Sequence, residues 1–232
     1  MIHLRPSASR GQAEHGWLES QHSFSFGSYY NPRELGFGAL RVINEDRVVP
    51  GAGFAPHSHQ DMEIISYVLD GGLRHRDSTG GGSVLRPGEL QLMSAGHGIT
   101  HSEMNASASE PVHFLQIWIE PAERGGTPGY QQQALDATAL AAGFAAVAGP
   151  AGEPVPFTLR QDARLYIAWP TAGQTLHQPL DGARRYYLHQ ARGSARANGQ
   201  ALAAGDALTL QSETQLDYQA DSDGEALLFE LP

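Results

Sequence analysis

The chain has 232 residues, with 15 Lys+Arg, 25 Asp+Glu, 11 His and no Cys, giving a formal net charge of −10. The absence of Cys excludes thiol nucleophiles, thiolate metal sites and Fe–S clusters, and since all 15 Lys+Arg are Arg, Schiff-base and phosphate-loop lysines are excluded as well. An acidic chain whose longest basic run is Arg184-Arg185 lacks the clustered positive charge that phosphate backbones need, which argues against nucleic-acid binding. The first residues, MIHLRPSASRGQAEHGW, contain no apolar core of a secretory signal. The weakly apolar ALAAGFAAVAG at 139–149 is too short and Gly-interrupted to span a bilayer. A cytoplasmic protein without membrane contact is the expectation.

In chain order, strands are predicted at 40–49 (LRVINEDRVV), 63–71 (EIISYVLDG), 113–120 (HFLQIWIE), 164–170 (RLYIAWP), 184–191 (RRYYLHQA) and 226–231 (ALLFEL). Each is rich in β-branched or aromatic residues and closed by turn formers. Asp70-Gly71-Gly72, Gly80-Gly81-Gly82, Pro87-Gly88, Asn198-Gly199 and Gly205-Asp206 supply turns between them. Many short strands with such punctuation predict an all-β sandwich or barrel. Residues 131–146, QQQALDATALAAGFAA, have helix-forming composition and are expected to join two halves. The halves share a pattern: SVLRPGELQL at 83–92 has a counterpart in GQALAAGDAL at 199–208, both reading strand, Gly-containing turn, strand.

The residues that carry chemistry lie in PHSHQDME (56–63) and QLMSAGHGITHSE (91–103). Along an extended strand, His57, His59 and Glu63 would share one face, as would His101 and Glu103. Two strands could then present three imidazoles and a carboxylate to one point. Either pair taken alone reads equally well as a polar strand face or a turn-flanking pair. His113 alternates with Leu115 and Ile117, which suits a hydrogen-bonded interior histidine. His22 suits either the mouth of a pocket or a structural role, and Phe24, Phe26 and Met93 either its lining or the core. His3, His15 and His75 have no partner at ligand spacing, and His177 and His189 lack any HxH or HxE partner.

The HSH, Glu63, Gly71, PGE and His101 series resembles the two metal-binding motifs of the cupin superfamily. More narrowly, HSFSFGSYYNP (22–32), GFGALRVINEDRV (36–48), PHSHQDMEIISYVLDG (56–71) and QLMSAGHGITHSE (91–103) are similar to the pirin family, especially its bacterial quercetinase-like members. QDARLYIA (161–168), NGQALAAGDAL (198–208) and DSDGEALLFELP (221–232) resemble that family's C-terminal domain. The resemblance implies a bicupin of two jelly-roll-like barrels packed together through a short helical or irregular connection. Residues 1–133 would form the metal-binding domain and 134–232 a cupin domain without a metal site.

It further implies one divalent transition metal held by His57, His59, His101 and Glu103, with Fe(II) expected and Zn, Ni, Mn, Co or Cu as alternatives. Four nitrogen and oxygen ligands on an octahedral ion leave two positions open. Glu103 would double as the base for a flavonol's hydroxyl proton, and Glu63 and His97 would stand behind the ligands, whereas the general cupin pattern would make Glu63 the carboxylate ligand instead. The implied activity is cleavage of a flavonol, quercetin-like ring with O2 and release of carbon monoxide, by a monomer. The alternative is a non-catalytic, iron-binding regulatory protein that senses redox state and binds a partner protein.

Overall fold

The computed structural model describes residues 1–232. It divides into two compact units, one of Arg10–Leu135 and one of Met1–Ser9 with Asp136–Pro232. Strand β1 (Ile2–Arg5) belongs to the second unit. The first contains β2 (Gly11–Glu14), β3 (Leu18–His22), β4 (Leu40–Val48), β5 (Gly53–His59), β6 (Glu63–Asp70), β7 (Leu73–Asp77), β8 (Gly82–Leu85), β9 (Glu89–Ser94), β10 (Ile99–Asn105), β11 (Val112–Ile119) and β12 (Gly129–Ala134). These form a seven-stranded sheet in the order β12-β9-β6-β11-β4-β3-β2 and a four-stranded sheet in the order β5-β10-β7-β8.

The second unit continues with α1 (Ala137–Ala142), β13 (Ala145–Pro150), β14 (Phe157–Leu159), β15 (Arg164–Ala168), β16 (Thr175–Pro179), β17 (Arg185–Arg192), β18 (Ala195–Ala197), β19 (Gln200–Leu202), β20 (Ala207–Gln211), β21 (Gln215–Ala220) and β22 (Glu225–Leu231). Its sheets run β1-β20-β17-β22-β15-β13-β14 and β16-β21-β18-β19. Strand for strand this is the order of the first unit, with β1 in the place of β12. The repeat extends to its turns. Gly88 and Gly205 adopt φ of 88° and 85° between their strands, a conformation that suits glycine. The next carboxylate accepts a backbone N–H in both, Arg86 to Glu89 and Ala203 to Asp206, each at 2.8 Å.

All six sequence-predicted strands are present as β4, β6, β11, β15, β17 and β22. In the first unit, apolar residues of these and neighbouring strands pack together: Val48, Val68, Leu73, Leu85, Val112 and Phe114 form one cluster, and Ile64, Met93 and Ile99 another. Two expectations are corrected. The helix predicted over 131–146 shrinks to α1, because Gln131–Gln133 pair with Leu90–Leu92 across β12 and β9, and strand pairing overrides their helix propensity. Asp136 caps what remains, accepting the N–H of Thr138 at 2.9 Å and of Ala139 at 3.2 Å. The domain expected over 1–133 loses its first nine residues to the other unit, because β1 pairs with β20 from Ile2↔Leu210 to Arg5↔Ala207. No helix is long and apolar enough to cross a membrane.

Candidate metal centre and its cavity

Three adjacent strands of the four-stranded sheet build the site. Strand β10 lies between β5 and β7, with His101 opposite His57 on one side and Glu103 opposite His75 on the other. Strand alternation turns His101, Glu103 and Asn105 inward, and all three are buried. A bulge in the β5–β10 ladder falls between His101 and Glu103. Glu63 does not continue the His57–His59 strand. β5 ends at His59, Asp61 adopts a φ of 50°, and Glu63 opens β6 in the other sheet, where its carboxylate accepts from Ser94 Oγ at 2.8 Å. The i, i+2, i+6 spacing assumed an unbroken strand, and the turn at 60–62 breaks it.

His57, His59 and His101 bring their ligand atoms within 4.8 Å of one another, a spacing that one metal ion can bridge. Their ring centroids lie 4.5 to 4.9 Å apart. His57 Nδ1 donates to the Ala55 carbonyl at 2.8 Å, which leaves Nε2 as its free lone pair. His101 Nε2 is buried without a hydrogen-bond partner, the state expected of a nitrogen that a metal completes. Burial, reinforced by the charge of His57, pushes His59 down to about 4. Burial, then the charges of His57, His59 and His75, pushes His101 down to about 3. Both imidazoles are therefore neutral at pH 7, the form that binds metal.

Glu103 is fully enclosed. It accepts from Ser66 Oγ at 2.9 Å through one oxygen and from Gln116 Nε2 at 2.7 Å through the other. Burial raises it to about 7, over the opposing effect of those bonds. Within the fold it groups with His101 and His75, whose ligand atoms also lie within 4.8 Å. His75 has no partner at ligand spacing along the chain, yet it is completely buried. Its Nε2 donates to Asp77 Oδ2 at 3.0 Å, and its Nδ1 faces Gln91 Nε2 at 3.4 Å and His101 Nδ1 at 3.5 Å. Burial pushes Asp77 up, but hydrogen bonds from Thr79, His75 and Gly81 outweigh it and hold the carboxyl below its usual range. The only trace in the sequence was the His75-Arg76-Asp77 spacing, which puts both side chains on one face of β7.

A cavity of ≈ 340 Å³ opens beside these groups and is lined by His57, His59, Glu103 and Gln116. That volume lies in the roughly 300–1,000 Å³ range of small-molecule sites. Trp17, Phe26, Phe54 and Trp118 supply its apolar wall. Ser20, His22, Asn44 and Asp46 supply a polar one. Phe26 thus lines the cavity, whereas Phe24 is buried and Met93 packs in the core. Burial raises Asp46 to about 7, opposed by its bond from Ser20 and aided by the charge of Glu45. His97 lies on an exposed turn, its N–H donating to Gly126 O at 2.7 Å, and belongs to neither histidine group. His113 Nε2 bonds Glu45 at 2.9 Å.

Residues 3–119 match the Pirin family model, and residues 146–231 match a model described as the quercetinase C-terminal cupin domain. The chain belongs to the pirin family. An Escherichia coli K12 protein named quercetin 2,3-dioxygenase is 44% identical over 234 residues, covering 100% of this chain and 99% of that one. The crystal structure of E. coli YhhW superposes with a TM-score of 0.94 at 43% identity, covering 100% of this pirin and 98% of that chain. A second structure, of bacterial pirin YhhW from E. coli in complex with nickel(II), gives a TM-score of 0.93 at 42% identity, with 100% and 99% covered. This pirin thus has the two-domain, almost all-β cupin fold.

Proposed function

We propose that this pirin is a metal-dependent dioxygenase that opens the heterocycle of a flavonol with O2 and releases carbon monoxide. The observation that carries the reading is the clustering of the His57, His59 and His101 ligand atoms within 4.8 Å of one another, with the buried Glu103 carboxyl grouped with His101, beside an aromatic-walled cavity. The names and the nickel complex of its relatives support it. His57, His59, His101 and Glu103 are the proposed ligands, and the ion is a divalent first-row metal, with Fe(II) as the working choice. His75 is assigned to orienting His101 instead of binding metal, because its Nε2 is committed to Asp77. Glu63, tied to Ser94, is assigned to the surrounding shell.

Bound there, the ion would supply Lewis acidity and open coordination positions. The protein does the rest. His57 and His101 hold Nε2 free by engaging Nδ1 elsewhere. Trp118, stacked edge-on against His59 at 4.8 Å, excludes water from the flank of the cluster. Glu103 can take the flavonol hydroxyl proton on an oxygen that still has a lone pair beside its bond to Ser66 or Gln116.

The test is anaerobic Fe(II) loading followed by quercetin and O2. Substrate-dependent O2 uptake with carbon monoxide release, lost in His57→Ala, is the expected result. A fully loaded protein without turnover would overturn the enzymatic reading in favour of a regulatory iron protein. Metal retained by Glu103→Gln but lost by Glu63→Gln would reverse the assignment of the carboxylates.

A further inference from the structure

The polar wall of the cavity has no task in the chemistry described above. Ser20 and His22 on β3 pair with Asp46 and Asn44 on β4, so the four side chains form a compact two-by-two patch. His22, Asn44 and Asp46 are 4%, 3% and 3% exposed. Ser20 Oγ donates to Asp46 Oδ1, but Asn44 Oδ1 and His22 Nδ1 have no hydrogen-bond partner. A buried polar atom left unpaired costs roughly 1–3 kcal/mol, so two on one cavity wall call for a ligand.

The fold does not require polar residues there. By the matching ladders of the second unit, Asp46 corresponds to Ala168, packed in a hydrocarbon cluster, and Asn44 to Tyr166, whose hydroxyl is satisfied by Glu230 at 3.1 Å. The patch is also connected to the histidine cluster by an unbroken run of rings. His22, Phe26, Trp118 and His59 follow one another edge to face at centroid distances of 5.3, 5.4 and 4.8 Å. Trp118 Nε1 is a third buried polar atom without a partner. A flat aromatic ligand anchored at the histidines would lie along these rings and end at the patch.

We infer that Asn44, His22 and the Ser20–Asp46 pair recognise hydroxyl groups on the part of the ligand remote from the metal, making the cavity selective for polyhydroxylated planar aromatics. Asn44 Oδ1 can only accept, which selects a hydroxyl donor, and the Asp46 carboxyl and His22 ring each offer a further partner. The inference rests on the flavonol reading and names the portion of the substrate that this wall reads.

The test compares two probes on the Ni(II)-loaded, oxygen-free protein by titration calorimetry. Quercetin and 3-hydroxyflavone share the hydroxy-ketone end, but only quercetin carries hydroxyls on its other rings. Wild type should bind quercetin about ten-fold more tightly, the worth of one net hydrogen bond to a buried partner. Asn44→Leu should bring the ratio below about three-fold while 3-hydroxyflavone affinity stays within about two-fold. His22→Phe keeps the ring against Phe26, deletes both nitrogens and should act in the same direction, which covers the case that Asn44→Leu fails to retain metal. Equal binding of both probes by wild type, or an unchanged ratio in the metal-retaining variants, overturns the inference alone. Failure of both flavonols to bind the loaded protein overturns the flavonol reading and the inference with it.

Discussion

The two barrels of this pirin share one strand order and one repeated turn but fill their interiors with opposite chemistry. In the first, the inward positions Ser66, His75, Gln91, His101, Glu103 and Gln116 are buried polar residues joined by hydrogen bonds or close polar contacts. The positions that answer to them in the second are Leu188, Ala197, Leu208, Leu216, Tyr218 and Leu228, all members of one hydrophobic cluster. A barrel that needs only to be stable closes over hydrocarbon, which buries without requiring partners. One that carries six polar groups inside must satisfy each of them, and it leaves the His101 Nε2 without a protein partner.

The comparison can be broken most directly by making the first barrel like the second. His101→Leu, which installs the residue type found at Leu216, should reduce bound metal from about one equivalent to below about 0.1 per chain, measured by elemental analysis after reconstitution. It should not lower the thermal midpoint of the metal-free protein, because a buried polar atom without a partner is removed. Metal retained at full occupancy would remove His101 from the ligand set.

A smaller effect is expected one contact further out. Asp77→Asn and His75→Ala should each weaken metal binding by about 10–100-fold in chelator competition, the usual worth of a group that orients a ligand imidazole. If affinity is unchanged in both, the Asp77–His75–His101 chain has no part in presenting Nε2.

Protons report the same contrast in the metal-free protein. His59 at about 4 and His101 at about 3 lie below the ordinary 6.5, so the unfolded chain takes up protons that the folded one refuses. This pair lowers stability as pH falls below about 6.5. Glu103 and Asp46 at about 7 lie above their ordinary 4.5 and 3.8, so the folded chain keeps protons that the unfolded one releases. They lower stability as pH rises towards about 7, opposing the histidines. Thermal midpoints should therefore change little between about pH 4.5 and 6.5 in the wild type. Asp46→Asn should rise more steeply with pH across that window, and an unaltered slope would mean that Asp46 ionises normally. The smallest effect sharpens the likeness between the barrels: Gly88→Ala and Gly205→Ala should each cost about 1 kcal/mol in denaturant unfolding, since both demand the same positive φ.

Much of this was legible in the chain. Strands such as EIISYVLD and HFLQIWIE announce themselves by β-branched and aromatic content, and the repeated turn is visible as PGE and AGD. The HSH and HSE motifs were visible because their members are two residues apart, and a strand keeps such pairs on one face. The sequence places Glu63 on the His57–His59 strand face because nothing in HSHQDME reveals that the strand ends at His59. His75, Asn44 and Asp46 escaped because their partners are far along the chain: His75 meets Glu103 through β7 and β10, and Asp46 meets Ser20 through β3 and β4. The helix at 131–146 was overestimated because composition cannot foresee that β9 recruits Gln131–Gln133.

The sequence by itself determined an all-β chain of two similar halves, without thiols or amines, whose short-range motifs put histidines on common strand faces. Those are local properties, set by alternation, turn chemistry and residue type. Only the tertiary structure decided that β1 completes the second barrel, that His75 and Asp77 lie behind His101, and that a polar wall faces the same cavity as the histidines. Each depends on strand register between segments distant in the chain, and register is fixed by the packing of whole sheets.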